Sequence, residues 1–188
     1  VCSPLNVTDY NVVGDAQFVA LDSSYLLTED RFNQSGAVWS LETVDLSKDF
    51  EVTSKLNLGD SPSGADGIAF VLQPLSSDQG SSGGGIGYLG ISPSVAVEFD
   101  TWFNSENSDP FSTDHAAVHL NGVISADENA VDLGEIEDGV YHDAVFSWVS
   151  STKTLTVSWD GNVIITYTKD IVSEVFSGNP QVYYGFTA

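Results

Sequence analysis

The chain has 188 residues, enough for one domain of ordinary size with a core of its own. It carries 27 acidic residues against 5 basic ones, a formal charge of −22 that sets it against nucleic acid phosphates and anionic membrane surfaces. No segment approaches the ~18 apolar residues of a membrane span, and "VCSPLNVTDY" lacks a basic region followed by an apolar run, so the sequence reads as a soluble, already processed chain with no membrane insertion.

In chain order, Cys2 comes first, either a free thiol or a half-cystine whose partner lies outside this sequence. The triplets Asn6-Val7-Thr8 and Asn33-Gln34-Ser35 are glycosylation sequons of a kind that recurs by chance. Short alternating runs then follow at "AVWSLETVDL", "DFEVTSKLNL" and "GIAFVLQPL". The Gly/Ser-rich "SSDQGSSGGGIGYLG" interrupts them as a surface loop, or as backbone that must come close to a ligand. No helix follows it, which excludes a dinucleotide-binding glycine loop. Strands resume at "SVAVEFDTW", "AAVHLNG" and "HDAVFSWVS". In "TLTVSWDGNVIITYT", Leu155, Val157 and Trp159 share one face, Asp160-Gly161 supplies a tight turn, and Val163, Ile165 and Tyr167 resume the alternation. "QVYYGFTA" closes the series. With no sustained helical repeat, the expected fold is all-β, a two-sheet antiparallel β-sandwich.

Chemistry concentrates in "VAVEFDTWFNSENSDPFSTDHAAVHLNG". Strand alternation puts Glu98 and Asp100 on one face and Val97 and Phe99 on the other. Two adjacent anions repel, and a bound divalent cation favours both ionised forms. Asn104 and the Trp102 backbone carbonyl follow closely, and Asp109 and His115 come on the returning segment. Carboxylate, amide and carbonyl oxygens suit calcium, and an added imidazole suits a transition metal such as manganese. These residues offer ligands for two adjacent ions that share Asp100. Asp114, next to His115, competes with Asp109 for the role of second aspartate, and spacing leaves that choice open.

The order "VAVEFDTWFN…DP…HAAVHLNG" resembles the metal-binding signature of L-type lectins, the legume-lectin-like carbohydrate-binding proteins, and most of all their bacterial secreted and surface members. That resemblance implies a concanavalin-like jelly roll. It also implies a calcium site of Asp100, the Trp102 carbonyl, Asn104 and Asp109, and a site for manganese or another transition metal formed by Glu98, Asp100, Asp109 and His115. His119 stands where legume members usually have an acid. "SGADGIAFVL" resembles the first sugar-binding loop, with Asp66 accepting from sugar hydroxyls after a cis Ala65-Asp66 peptide. "GGGIGYLGI" resembles the second, with Gly87 offering its backbone N–H. Asn104 and the Trp102 ring complete the implied sugar site. The resemblance further implies that residues 1–188 form a single domain whose final strand and fourth sugar-binding loop are not included.

The expected function is therefore calcium-dependent binding of glycans or glycoconjugates, without catalysis, in an extracellular protein that includes other domains. Two rivals stand beside it. A laminarinase-like glycoside hydrolase would begin its catalytic set with Glu98 and Asp100, but its third acid falls at Phe103 or Asn104. A metal-stabilised adhesion or spacer domain would need neither Asp66 nor Gly87.

Overall fold

The computed structural model describes residues 10–80, 85–105, 109–125 and 128–188; Cys2 and the sequon at Asn6 lie outside them. Fourteen strands are present among the described residues: β1 (Tyr10–Gly14), β2 (Gln17–Val19), β3 (Ser24–Leu26), β4 (Gly36–Ser40), β5 (Val44–Asp45), β6 (Phe50–Leu56) and β7 (Gly67–Gln73) in the first part. They continue as β8 (Val95–Asp100), β9 (Asp114–Leu120), β10 (Glu128–Gly134), β11 (His142–Val149), β12 (Thr154–Trp159), β13 (Asn162–Thr168) and β14 (Gln181–Thr187). A single helical turn, α1 (Ile171–Glu174), capped by the Asp170 carboxylate, is the one helix among the described residues.

The large sheet runs β1-β4-β14-β7-β8-β9-β10, with β5 also paired to β14; the smaller one runs β13-β12-β11-β6, and β2-β3 form a separate hairpin. Every pairing is antiparallel. The expected two-sheet sandwich is what forms. Its core lies between the sheets, where Val97 and Phe99 of β8 and Phe70 of β7 meet Phe146 and Trp148 of β11 and Leu155 and Val157 of β12. Phe70 and Phe146 stack across the gap with ring centroids 4.0 Å apart.

The hairpin of β12 and β13 forms as the sequence predicts, with Asp160 and Gly161 both at positive φ. One detail differs. Val157 pairs with Ile165 while Ser158 pairs with Val163, so Ile164 is an extra residue in the ladder. That bulge turns Val163 to solvent, 62% exposed, and leaves Ile165 and Tyr167 in the core. Val163→Thr is accordingly expected to change the unfolding free energy by less than about 0.5 kcal/mol, and Ile165→Thr to lower it by about 2 kcal/mol, both read from denaturant midpoints.

The large sheet is covered on its outer face as well. Ile86, Tyr88 and Ile91 pack on Ala37, Trp39, Ala69, Val71 and Ala96, forming a second apolar layer. The Trp39 indole N–H donates to the Gln79 carbonyl at 2.8 Å. The described part of the glycine-rich segment is thus packed cover rather than a loose surface loop. It covers β8 at Ala96 and Glu98, on the face away from the main core, and β8 is buried along its whole length.

Candidate functional site

β8 ends between two neighbours that fix what surrounds Asp100. On one side Gly67 opens β7 opposite Asp100, and on the other His115 stands opposite it on β9. A Cβ on Gly67, whose φ is +131°, would fall 2.1 Å from the Phe99 carbonyl oxygen, so only glycine lets the chain pass this close. The approach brings in Asp66, whose carbonyl accepts from Thr101 N–H at 3.1 Å, and the Ala65-Asp66 peptide is cis.

Cross-strand pairing then gathers ligands. Glu98, Asp100 and His115, all buried, place one ligand atom each within 4.8 Å of one another, a spacing that fits a single ion. Asp100 Oδ1 accepts from Trp102 N–H at 2.7 Å, curling the chain after β8. Beyond that curl, Asn104 N–H donates to Asp109 Oδ2, and Asp109 N–H returns to the Asn104 carbonyl at 3.5 Å. Asn104 and Asp109 thus form one closed loop beside Asp100. The carboxylate and imidazole donors gathered here could hold a metal ion.

Burial, opposed by the Trp102 hydrogen bond and reinforced by the charges of Glu98 and Asp109, raises the Asp100 carboxyl from 3.8 to about 7. A cation here would relieve that penalty. Burial also raises Asp66, which is half-buried.

Glu98 is held from two sides. Its Oε2 accepts from the Tyr88 hydroxyl at 2.6 Å, and Oε1 lies 2.7 Å from His119 Nε2. His119 Nδ1 meets the Val123 carbonyl at 2.9 Å; a carbonyl only accepts, so this nitrogen carries hydrogen. His119 and Tyr88 are thus the neighbours of the two Glu98 oxygens, His119 at Oε1 and Tyr88 at Oε2.

Asp114 is placed differently from Asp109. Its Oδ2 accepts from Ile136 N–H at 2.8 Å, and its carboxyl groups with Glu135 and Glu137, again within 4.8 Å of one another. Burial, then the charges of Asp114 and Glu135, pushes the Glu137 carboxyl up to about 7. Sequence reading missed Glu135 and Glu137, since "EIED" looks like any solvated acidic run. The only signal was Ile136 within it, an apolar residue that turns out to be buried.

Gly87 is buried with φ +68°, and a Cβ there would fall 2.8 Å from Thr187 Cβ and 3.0 Å from Ala188 N. Close packing on the end of β14 thus requires glycine at this position. Trp102 and Phe103 are 45% and 50% exposed. They border an open cavity of about 400 Å³ that continues past Pro62 to Asp114 and Glu135.

Comparison with known proteins gives this geometry a lineage. A family model described as the legume lectin beta-barrel domain matches residues 5–188. The galactose-binding lectin of Arachis hypogaea is 37% identical over 136 residues, 66% of this chain and 46% of that protein. The serine-rich adhesin for platelets of Staphylococcus aureus (strain MRSA252) is 26% identical over 185 residues, 84% of this chain. The chain spans only 14% of that adhesin's length. Among solved structures, peanut lectin with a 9mer peptide superposes with a TM-score of 0.77 at 27% identity, over 100% of this chain and 85% of that one. The lectin from Bauhinia forficata in complex with GalNAc reaches 0.80 at 21% identity, over 97% and 86%, a likeness of fold. Lectin relatives on a lectin fold support carbohydrate binding. The chain belongs to the legume, or L-type, lectin domain family.

Proposed function

We propose that this domain binds neutral glycans in a calcium-dependent manner at a site formed by Asp66, Trp102 and Asn104, to which the backbone N–H of the buried Gly87 would contribute. The observation that carries this reading is the tie between Asp66 and the ligand cluster: Gly67 pairs with Asp100, and Thr101 N–H holds the Asp66 carbonyl. Asp66 accepts from sugar hydroxyls, Asn104 and the Gly87 N–H donate, and the exposed Trp102 ring meets the apolar face of a pyranose. Asp100, Asn104, Asp109 and the Trp102 carbonyl would hold calcium, with Asp109 rather than Asp114 as second aspartate because it closes the loop with Asn104. Glu98, Asp100, Asp109 and His115 would hold manganese or another transition metal. Asp100 would be neutralised and the Asn104 loop held in place by a bound cation, while the sugar itself would be met by protein groups.

The galactose-binding lectin and the GalNAc complex among the relatives point to galactose-type sugars as the first to test. The staphylococcal adhesin supports a role in surface adhesion, as one part of a larger extracellular protein. Among the described residues no helix is long and apolar enough to cross a membrane. A hydrolase would need a third carboxyl at position 103 or 104, where Phe and Asn stand.

A glycan array run with calcium, with chelator, and after calcium is restored tests the proposal. Binding is expected to vanish with chelator and to return with calcium; binding indifferent to chelator overturns it. A purely metal-stabilised adhesion domain would bind no glycan under any of the three conditions.

A further inference from the structure

The structure assigns a second calcium site, separate from the cluster at the end of β8, to Asp114, Glu135 and Glu137. Each contributes a carboxylate oxygen, and the three oxygens lie within 4.8 Å of one another. Calcium bonds oxygen at about 2.3–2.6 Å, so ligands on opposite sides of one ion stand about twice that distance apart. The set contains no imidazole or thiolate, which favours calcium over transition metals.

An acidic cluster alone would mean little on a chain this negative. Glu137 makes the difference. It is 4% exposed, and its Oε2 is buried without any hydrogen-bond partner. Buried carboxylate oxygens are ordinarily satisfied, and an unsatisfied one in contact with two other acids marks a missing partner.

Among the described residues no cationic side chain pairs with this cluster. All five basic side chains are engaged elsewhere: Arg31 with Glu29, Lys48 with Asp45, Lys55 with Asp143, Lys153 with Asp170 and Lys169 with Glu174. His142 pairs with Asp138 and Asp160, and His119 lies beside Glu98. His115, next to Asp114 in sequence, faces Glu98 and Asp100. The charge-balancing partner therefore comes from solution.

The site has an entrance and room for water ligands. Glu135 is exposed, and the cavity of about 400 Å³ beside Trp102 and Phe103 reaches Asp114 and Glu135. On the far side the loop leading to Asp66 packs directly on Glu137, since a Cβ on Gly64 would lie 2.1 Å from Glu137 Oε1 and 3.1 Å from the Ser61 carbonyl oxygen, so glycine is what lets the loop close over this carboxylate. An ion here ties residues 135–137 to Asp114, one residue from His115, and braces the floor beneath the Asp66 loop.

Calcium titration of chelator-treated protein by calorimetry at about pH 7.5 tests the site, with wild type run beside E135Q, E137Q and D100N. Wild type is expected to take up one more calcium per chain than E135Q or E137Q, or to bind that equivalent at least 10-fold more tightly than they do. D100N is expected to lose a different equivalent and to keep this one. Because Glu135 is exposed, E135Q keeps the test valid if circular dichroism finds E137Q unfolded. If both glutamine variants bind the same number of calcium ions as wild type with affinities within about twofold, the carboxylates are neutralised by protons and the assignment is overturned. Calcium uptake is read without sugar, so failure of glycan binding leaves this result standing, and the reverse holds too.

Discussion

Asp66→Ala is expected to abolish glycan binding at concentrations that saturate the wild-type domain, while circular dichroism and the melting temperature stay close to wild type. The reason lies in what this side chain does and what it leaves alone. Its carboxylate would accept from two sugar hydroxyls, each charge-assisted bond contributing about 1.5–3 kcal/mol, so their joint loss weakens binding by roughly 100-fold or more. Shallow lectin sites hold single sugars weakly, and a loss of that size passes below detection unless several sites act together. The fold relies instead on the Asp66 backbone, whose carbonyl accepts from Thr101 N–H and which alanine retains. Removing a half-buried carboxyl that burial already disfavours should not harm stability. Calorimetric titration with galactose and lactose, on variant and wild type, checks the result. Unchanged affinity would move the binding surface away from Asp66 altogether.

The second large effect is a pH-dependent stability that calcium reverses. Burial holds the Asp100 carboxyl near 7 rather than 3.8, and Glu137 near 7 rather than 4.5. Between their ordinary values and about 7, the metal-free folded chain keeps protons that the unfolded chain has released. Stability of the metal-free form therefore falls as pH rises through that window. For Asp100 alone the loss above pH 7 is on the order of 4 kcal/mol, taking about 1.4 kcal/mol for each pKa unit. The carboxylates whose values are lowered by hydrogen bonds, such as Asp45, Asp49 and Asp132, act in the opposite direction and finish titrating by about pH 5. His142 acts in the same direction as Asp100: burial opposes its charge, but Asp160 and Asp138 outweigh burial and raise it, so its contribution fades above about pH 6.5. That contribution is the same with or without calcium.

Thermal melts from about pH 5 to 8 should then show the melting temperature falling by roughly 10 °C in chelator and much less in calcium, the gap between the two curves widening as pH rises. Calcium binds only ionised carboxylates, so its stabilisation grows where theirs fails. Parallel curves at every pH would mean that neither Asp100 nor Glu137 sits in a metal site.

Much of this was legible in the linear order of residues. Alternation in "TLTVSWDGNVIITYT" specifies a hairpin because the strand period of two and the positive φ of Asp160-Gly161 are local properties. Glu98 and Asp100 share a face for the same reason, and Asn104 and Asp109 lie close enough in sequence for their loop to close locally. The bulge at Ile164 was not legible, because it arises from how β13 fits β12 rather than from either strand alone. Strands β1, β2, β3 and β10 also escaped notice. β10, "ENAVDLG", carries no clear alternation and exists because it pairs with β9.

The sequence by itself determined an all-β chain of strong negative charge and the side-by-side placement of Glu98 and Asp100, because these follow from composition and strand period. Only the tertiary structure decided what long-range pairing and burial control. It brought Gly67 against Phe99, laid the segment with Ile86 and Tyr88 over Ala37, Trp39 and Ala69, and turned Asp114 toward Glu135 and Glu137. An acid in a string of letters is the same whether solvent or two other acids surround it. Which of these it meets depends on contacts between residues about ten to twenty or more positions apart, such as Tyr88 with Glu98 and Asp114 with Ile136, and those exist only in the folded chain.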